Sequence, residues 1–183
     1  MADQGSQGLL SPFLRNRRLA AVRPHVVGRV LDIGCGIGAL AAACDPKGYV
    51  GYDRDPAVVE RARQGFPAYR FVNEMPTDAG AFDTVAALAV IEHITDPGGA
   101  IADWATRLAP GGAMVLTTPH PAFEWIHESG AAVGVFSHDA AEEHEEMIDR
   151  PRMQSLIAGS SLTLERYQRF LFGANQLFVL RKL

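Results

Sequence analysis

The sequence predicts an α/β fold: one mostly parallel sheet with helices on both faces, ending in an antiparallel strand. Three observations carry this. Apolar, β-branched runs alternate with helical segments at spacings of about 20–30 residues, the pattern of repeated β-α-β units. The first run ends in a glycine-rich turn, "VLDIGCGIGAL" (Val30 to Leu40), as parallel strands that feed a ligand-binding loop do. The last two strand-like runs, Leu162 to Phe170 and Gln176 to Leu183, are joined only by "LFGAN". A link that short allows only an antiparallel pair.

The elements follow in order. Residues 1–10 are polar and Gly-rich and are expected to fray. Ser11-Pro12 is a helix start, and Pro24 stops that helix near Arg23. Val26 to Ile33 reads as a buried parallel strand. Leu40 to Cys44 reads as a short Ala-rich helix, and Tyr49 to Asp53 as the next strand. Pro56 to Gln64 is helical with Asp55 as its N-cap. Tyr69 to Val72 and Phe82 to Leu88 are the third and fourth strands. Pro97 to Leu108 is helical, Pro110-Gly111-Gly112 breaks it, and Ala113 to Thr118 is the fifth strand. The stretch from Pro119 to about Glu142 lacks periodicity, and in a compact domain that points to a lid over a binding site.

The chain of 183 residues suits one domain over 11–183. Apolar residues make up 48% and charged residues 21%, ordinary values for a globular protein. The net charge of −4 provides no basic footprint for nucleic acid. The one basic cluster, Arg15, Arg17, Arg18 and Arg23, reads as the solvated face of the first helix. Two cysteines, Cys35 and Cys44, build neither a disulfide framework nor a metal spacing. No apolar run reaches membrane-spanning length, and no signal-peptide core opens the chain, so a cytoplasmic protein is expected.

"VLDIGCGIGAL" fits two cofactor patterns. Gly34, Gly36 and Ala39 satisfy the dinucleotide fingerprint, while Asp32 with Gly34, Gly36 and Gly38 is an acidic residue before alternating glycines. Both use glycine to bring backbone and a helix N-terminus close to a ligand. Asp32 separates them: a carboxylate there repels a pyrophosphate but pairs with an ammonium, directly or through water. Asp53, in "GYDRD", can accept both hydroxyls of a ribose and serves either cofactor. "FDTVAALAVIEHI" and "LAPGGAMVLTTP" then follow in order.

With that ordered set the chain resembles the class I S-adenosylmethionine-dependent methyltransferases, over roughly residues 12–183, and most nearly the subgroup acting on small molecules. The resemblance implies a Rossmann-like, doubly wound sheet of seven strands in the order 3-2-1-4-5-7-6. It implies S-adenosyl-L-methionine as cofactor. Asp32, Gly34, Cys35 and Gly36 would form the turn under the methionine moiety. Asp53 would hold the ribose, with Arg54 beside the adenine. Asn73, Glu74 and Met75, in "FVNEMP", match the segment that closes over the adenine, with Asn73 where the family usually has aspartate. Leu88 and Ala89 match the strand end near the methionine. Ala89 also stands where ubiquinone-type O-methyltransferases carry a metal-binding glutamate, so no metal is expected.

Methyl transfer from a sulfonium is an in-line displacement that needs alignment and exclusion of water. A hydroxyl acceptor usually also needs a base. His120, in "TTPHPAFEW", lies just past the fifth strand between two prolines that fix its backbone, and it is one candidate. His93, in "VIEHI", is the other. Phe123, Trp125 and Ile126 offer an apolar substrate surface. His127, His138 and His144 lie among Glu142, Glu143, Glu145 and Glu146, but "DAAEEHEEM" reads as the acidic start of a solvated helix. The rival readings are an NAD-dependent oxidoreductase, a cofactor-binding scaffold without turnover, and a member of the fold doing other chemistry. The acceptor atom, the substrate and the choice between monomer and homodimer stay open.

Overall fold

The computed structural model describes residues 11–121 and 148–183. Seven strands form one sheet in the order β3-β2-β1-β4-β5-β7-β6, as expected. They are β1 (Val30–Ile33), β2 (Tyr49–Tyr52), β3 (Arg70–Val72), β4 (Phe82–Leu88), β5 (Leu108–Pro119), β6 (Leu162–Phe170) and β7 (Asn175–Lys182). Neighbouring pairs among β1 to β5 are parallel, and β7 runs antiparallel to both β5 and β6. Among the described residues four helices flank the sheet: α1 (Ser11–Val22), α2 (Pro56–Gly65), α3 (Pro97–Arg107) and α4 (Arg150–Leu156).

The two faces of the sheet bury separate cores. One gathers Val22 of α1, Leu40, Ala41, and Val59 and Ala62 of α2 over Val30, Tyr49, Phe71 and Val115. The other packs Ile101 and Trp104 of α3 and Met153 of α4 over Leu31, Phe82, Leu116 and Phe178. β1, β4 and β5 supply side chains to both faces, which is why they read as continuous apolar runs rather than alternating ones. Three helices begin on an aspartate followed within two residues by proline. Asp55 accepts from Ala57 N at 2.8 Å, Asp96 from Gly99 N at 2.9 Å and Asp149 from Arg152 N at 2.8 Å. Each pairs an N-cap acceptor with a residue that needs no N–H partner of its own.

Several boundaries differ from expectation, each for a local reason. β1 starts at Val30, not Val26, because Gly28 turns the chain at φ +62°, and Val27 N donates to Thr84 Oγ1 instead of joining a ladder. The Ala-rich segment forms only a three-residue 3-10 turn, Ala41–Ala43, because the chain turns extended at Cys44, φ −118° and ψ 160°. α3 ends at Arg107, before Pro110-Gly111-Gly112, and β5 runs through that tripeptide with strand pairing on both sides of it. Phe82 pairs with Leu108 and Thr84 with Ala113, so the extra residues bulge out. α4 was not expected, although its Asp-Arg-Pro start carries the same signal as α2 and α3. The stretches 1–10 and 122–147, which hold most of the expected lid, lie outside the described residues.

Candidate cofactor-binding site

β1 pairs with β2 on one side and β4 on the other, so the chain's direction of winding reverses between β1 and β4. In open α/β sheets, ligands bind beyond the strand ends at that point. The loop after β1 sits there. Gly34 and Gly36 adopt φ +67° and +53°, which glycine tolerates and other residues rarely do. A Cβ on Gly34 would lie 2.5 Å from Val90 Cγ2, whereas one on Gly36 would meet open space. Gly36 N donates to Asp53 Oδ2 at 3.0 Å, and Asp55 N donates to Oδ1 at 3.1 Å. Asp53 therefore ties the glycine loop to the end of β2 while staying half-buried at its surface.

Asp32 is 3% exposed, and its Oδ2 accepts from the Tyr49 hydroxyl at 2.6 Å. Burial pushes its carboxyl up to about 7, opposed by the Tyr49 hydrogen bond and reinforced by the charge of Asp53. The same burial drives the Cys35 thiol far above its usual range and lifts Cys44 to about 11. Neither is a thiolate at neutral pH, so neither is a ready nucleophile.

A cavity of about 440 Å³ opens over this loop. Of the residues expected to hold the cofactor, Asp32, Gly34, Cys35, Gly36, Asp53, Leu88 and Ala89 line it. Ala89 takes φ +58°, an uncommon conformation for a residue with a Cβ, and its N–H donates to Thr117 O at 2.9 Å. Arg54, Asn73 and Glu74 are exposed beside β2 and β3, outside the cavity lining, and Met75 packs half-buried against the core.

Sequence reasoning missed the wall formed by α1. Arg15, Arg18 and Leu19 line the cavity, as do Val58 and Arg61 of α2. The reading of the basic cluster as solvated surface holds for Arg17 and Arg23 but not for Arg15, which is exposed yet lines the cavity, nor for Arg18, which is half-buried. Arg18 Nε donates to Asn175 Oδ1 at 3.1 Å, and Asn175 is itself buried at the start of β7. Burial lowers the Arg18 pKa, and the nearby charge of buried Glu92 opposes that shift. The i, i+3 spacing of Arg15 and Arg18 on one helix face was the available signal. The contact with Asn175, 157 residues away in sequence, was not available from sequence.

His120 lies one residue past β5, half-buried, with its backbone N donating to Ala174 O at 2.9 Å. Its imidazole pKa is lowered, by burial first and by Arg169 second, against the pull of Asp149. His93 is exposed at the end of a 3-10 turn, Ile91–His93. Neither histidine lines the cavity. Phe123, Trp125, Ile126, His127, His138 and His144 lie outside the described residues. Among the described residues no helix is long and apolar enough to cross a membrane.

The comparisons with known proteins agree with this geometry. A family model described as a methyltransferase domain matches residues 8–162. A ubiquinone biosynthesis O-methyltransferase from a Caulobacter species is 36% identical over 124 residues, covering 58% of this chain and 49% of that protein. The chain thus spans about half the length of that curated relative. Among solved structures, a possible histamine N-methyltransferase from Thermotoga maritima superposes with TM-score 0.72 at 17% identity, covering 92% of this chain and 89% of that one. A geranyl diphosphate C-methyltransferase from Streptomyces coelicolor superposes with TM-score 0.71 at 14% identity, covering 94% and 80%. With the strand order, the acidic glycine loop and the carboxylate ending β2 all in place, the chain belongs to the class I S-adenosylmethionine-dependent methyltransferases.

Proposed function

We propose that this protein transfers the methyl group of S-adenosylmethionine to a small-molecule acceptor. The observation that carries the reading is the pair of carboxylates at the ends of adjacent strands. Asp32 and Asp53 face one cavity, with the positive-φ glycine loop between them. The cavity suits the cofactor on its own chemistry. A buried carboxylate that lacks a cation is costly, and the ammonium of a methionine moiety would supply one. Asp53, half-exposed and already ordered by two backbone donors, has lone pairs left for ribose hydroxyls. Arg18, held by Asn175, and Arg15 one turn away would receive the methionine carboxylate. Arg54, Asn73, Glu74 and Met75 would flank the adenine at the ends of β2 and β3.

When bound, the cofactor supplies a sulfonium methyl, the electrophile. The chain's part is to hold the reacting groups in line and keep water out. Leu88 and Ala89, at the end of β4, form the cavity wall beyond the glycine loop and would border the methionine. His120 stands at the same end of the sheet, its lowered pKa keeping the imidazole neutral near pH 7 and able to accept a proton from an acceptor hydroxyl. His93 is the second candidate for that role.

The test has two stages. Calorimetry should show binding of S-adenosylhomocysteine and none of NADH; binding of NADH alone would overturn the reading. Turnover of S-adenosylmethionine against a panel of phenols, amines and small acids should then release S-adenosylhomocysteine with at least one acceptor. Binding without turnover across the panel would favour a non-catalytic role.

A further inference from the structure

The geometry points to Tyr49 as a positioning residue for the cofactor: its hydroxyl holds Asp32 by Oδ2, inside the protein, so that Oδ1 is presented to the methionine ammonium. The inference rests on the proposed function and adds a residue outside both the glycine loop and the cavity lining.

The arrangement follows from strand register. In the parallel pair β1–β2, Val30 stands opposite Tyr49 and Asp32 opposite Gly51. Side chains alternate along a strand, so Val30, Asp32 and Tyr49 share a face, the one that carries the core under α1 and α2. From that position the long phenol reaches diagonally to the residue two further along β1, and the 2.6 Å contact results. Gly51, opposite Asp32, leaves room for its neighbours. A Cβ there would lie 2.6 Å from Phe71 and 2.9 Å from Cys35 Sγ. The ring is fixed as well. It is 1% exposed and meets Tyr69 and Phe71 edge-on, with centroids 5.6 Å and 5.7 Å away. Tyr69 is in turn anchored by its hydroxyl to Cys44 O at 3.2 Å.

Phenylalanine would satisfy those aromatic contacts equally well. The hydroxyl needs a separate reason, because a buried phenol is retained where its O–H has a partner. Here the partner is a carboxylate lining the cavity. The charged and titratable groups around Asp32 come from several elements. Asp53 ends β2, the neutral thiols of Cys35 and Cys44 lie nearby, Arg15 and Arg18 reach the cavity from α1, and Arg61 reaches it from α2. Burial and Asp53 favour the protonated acid, and the Tyr49 hydrogen bond favours the carboxylate. Without the hydroxyl, the ionised form that an ammonium pairs with would appear only at higher pH.

The test measures binding of S-adenosylhomocysteine and of 5′-methylthioadenosine, which lacks the amino-acid moiety, to the full chain between about pH 6 and pH 8.5. In the wild type, affinity for S-adenosylhomocysteine should fall as the pH drops through about 7, and that for methylthioadenosine should stay level. Tyr49→Phe should move the acid limb to higher pH and weaken S-adenosylhomocysteine roughly tenfold at neutral pH, leaving methylthioadenosine unchanged. Should Tyr49→Phe fold poorly, 3-fluorotyrosine at position 49 donates more strongly and should move the limb the other way. Unmoved limbs in both variants, or equal losses for both ligands, would make Tyr49 a packing residue and overturn the inference. Failure of the wild type to bind either ligand would instead sink the proposed function.

Discussion

Asp32→Asn should stabilise the protein without ligand while weakening the cofactor, and the gain should grow with pH. Asparagine keeps the shape and can still accept from Tyr49, but it carries no charge. The folded-state pKa of Asp32 lies near 7 against 3.8 in the ordinary state. The native protein therefore binds the proton more tightly than the unfolded chain across that window. Stability from this group is fully present below about pH 4 and is lost as the pH rises through about 7. At about 1.36 kcal/mol per pH unit, the gap bounds the cost of the ionised form at about 4 kcal/mol. Because Asp32 lines the cavity, solvation from it discounts that bound, and a gain of about 2 kcal/mol at pH 8, shrinking toward zero near pH 4, is the expected size. Urea unfolding of wild type and Asp32→Asn at several pH values measures it directly. A variant less stable than wild type at pH 8, or a difference independent of pH, would refute the reasoning, because the carboxylate would then not be an isolated buried charge. The same variant should bind S-adenosylhomocysteine at least about tenfold more weakly, since it loses the ion pair with the ammonium.

Asp53→Ala removes the acceptor that holds Gly36 and Asp55 and the proposed partner of the ribose hydroxyls. Calorimetry should show S-adenosylhomocysteine weakened by about 100-fold. Gly34→Ala places a Cβ against Val90 at a positive φ; denaturation should show a loss of about 2 kcal/mol. Lys182→Met keeps the aliphatic stem but removes the donor to Ala105 O at 2.8 Å and Leu108 O at 2.7 Å at the end of α3. It should cost about 1 kcal/mol in urea unfolding and leave S-adenosylhomocysteine affinity unchanged.

Much of the fold was legible because its signals are local. Burial on both faces writes itself into a strand as a nearly unbroken apolar run, so β4 was placed at its observed bounds; β6, a largely exposed edge strand, was placed by its strand-like run and the short link to β7. Aspartate before proline marks a helix start, and Asp55 caps α2 as expected. Boundaries failed where a backbone conformation intervened, as at Gly28, or where no periodicity led into a seven-residue helix, as at α4. The glycine loop and its two aspartates were legible because a ligand that approaches backbone needs specific residue types at specific spacings.

What the sequence by itself determined was the order of strands and helices and the identity of the residues around the β1 turn. The tertiary structure alone decided which side chains from elsewhere join them. Arg18 looked like surface charge until β7 placed Asn175 beside it, and Tyr49 was only the first residue of a strand until register put its hydroxyl on Asp32. Both contacts depend on strand pairing and packing between segments distant along the chain, which leave no mark on local sequence. The ionisation of Asp32 is a tertiary matter too, because it is burial, more than residue type, that moves its pKa, with the Tyr49 hydrogen bond opposing it.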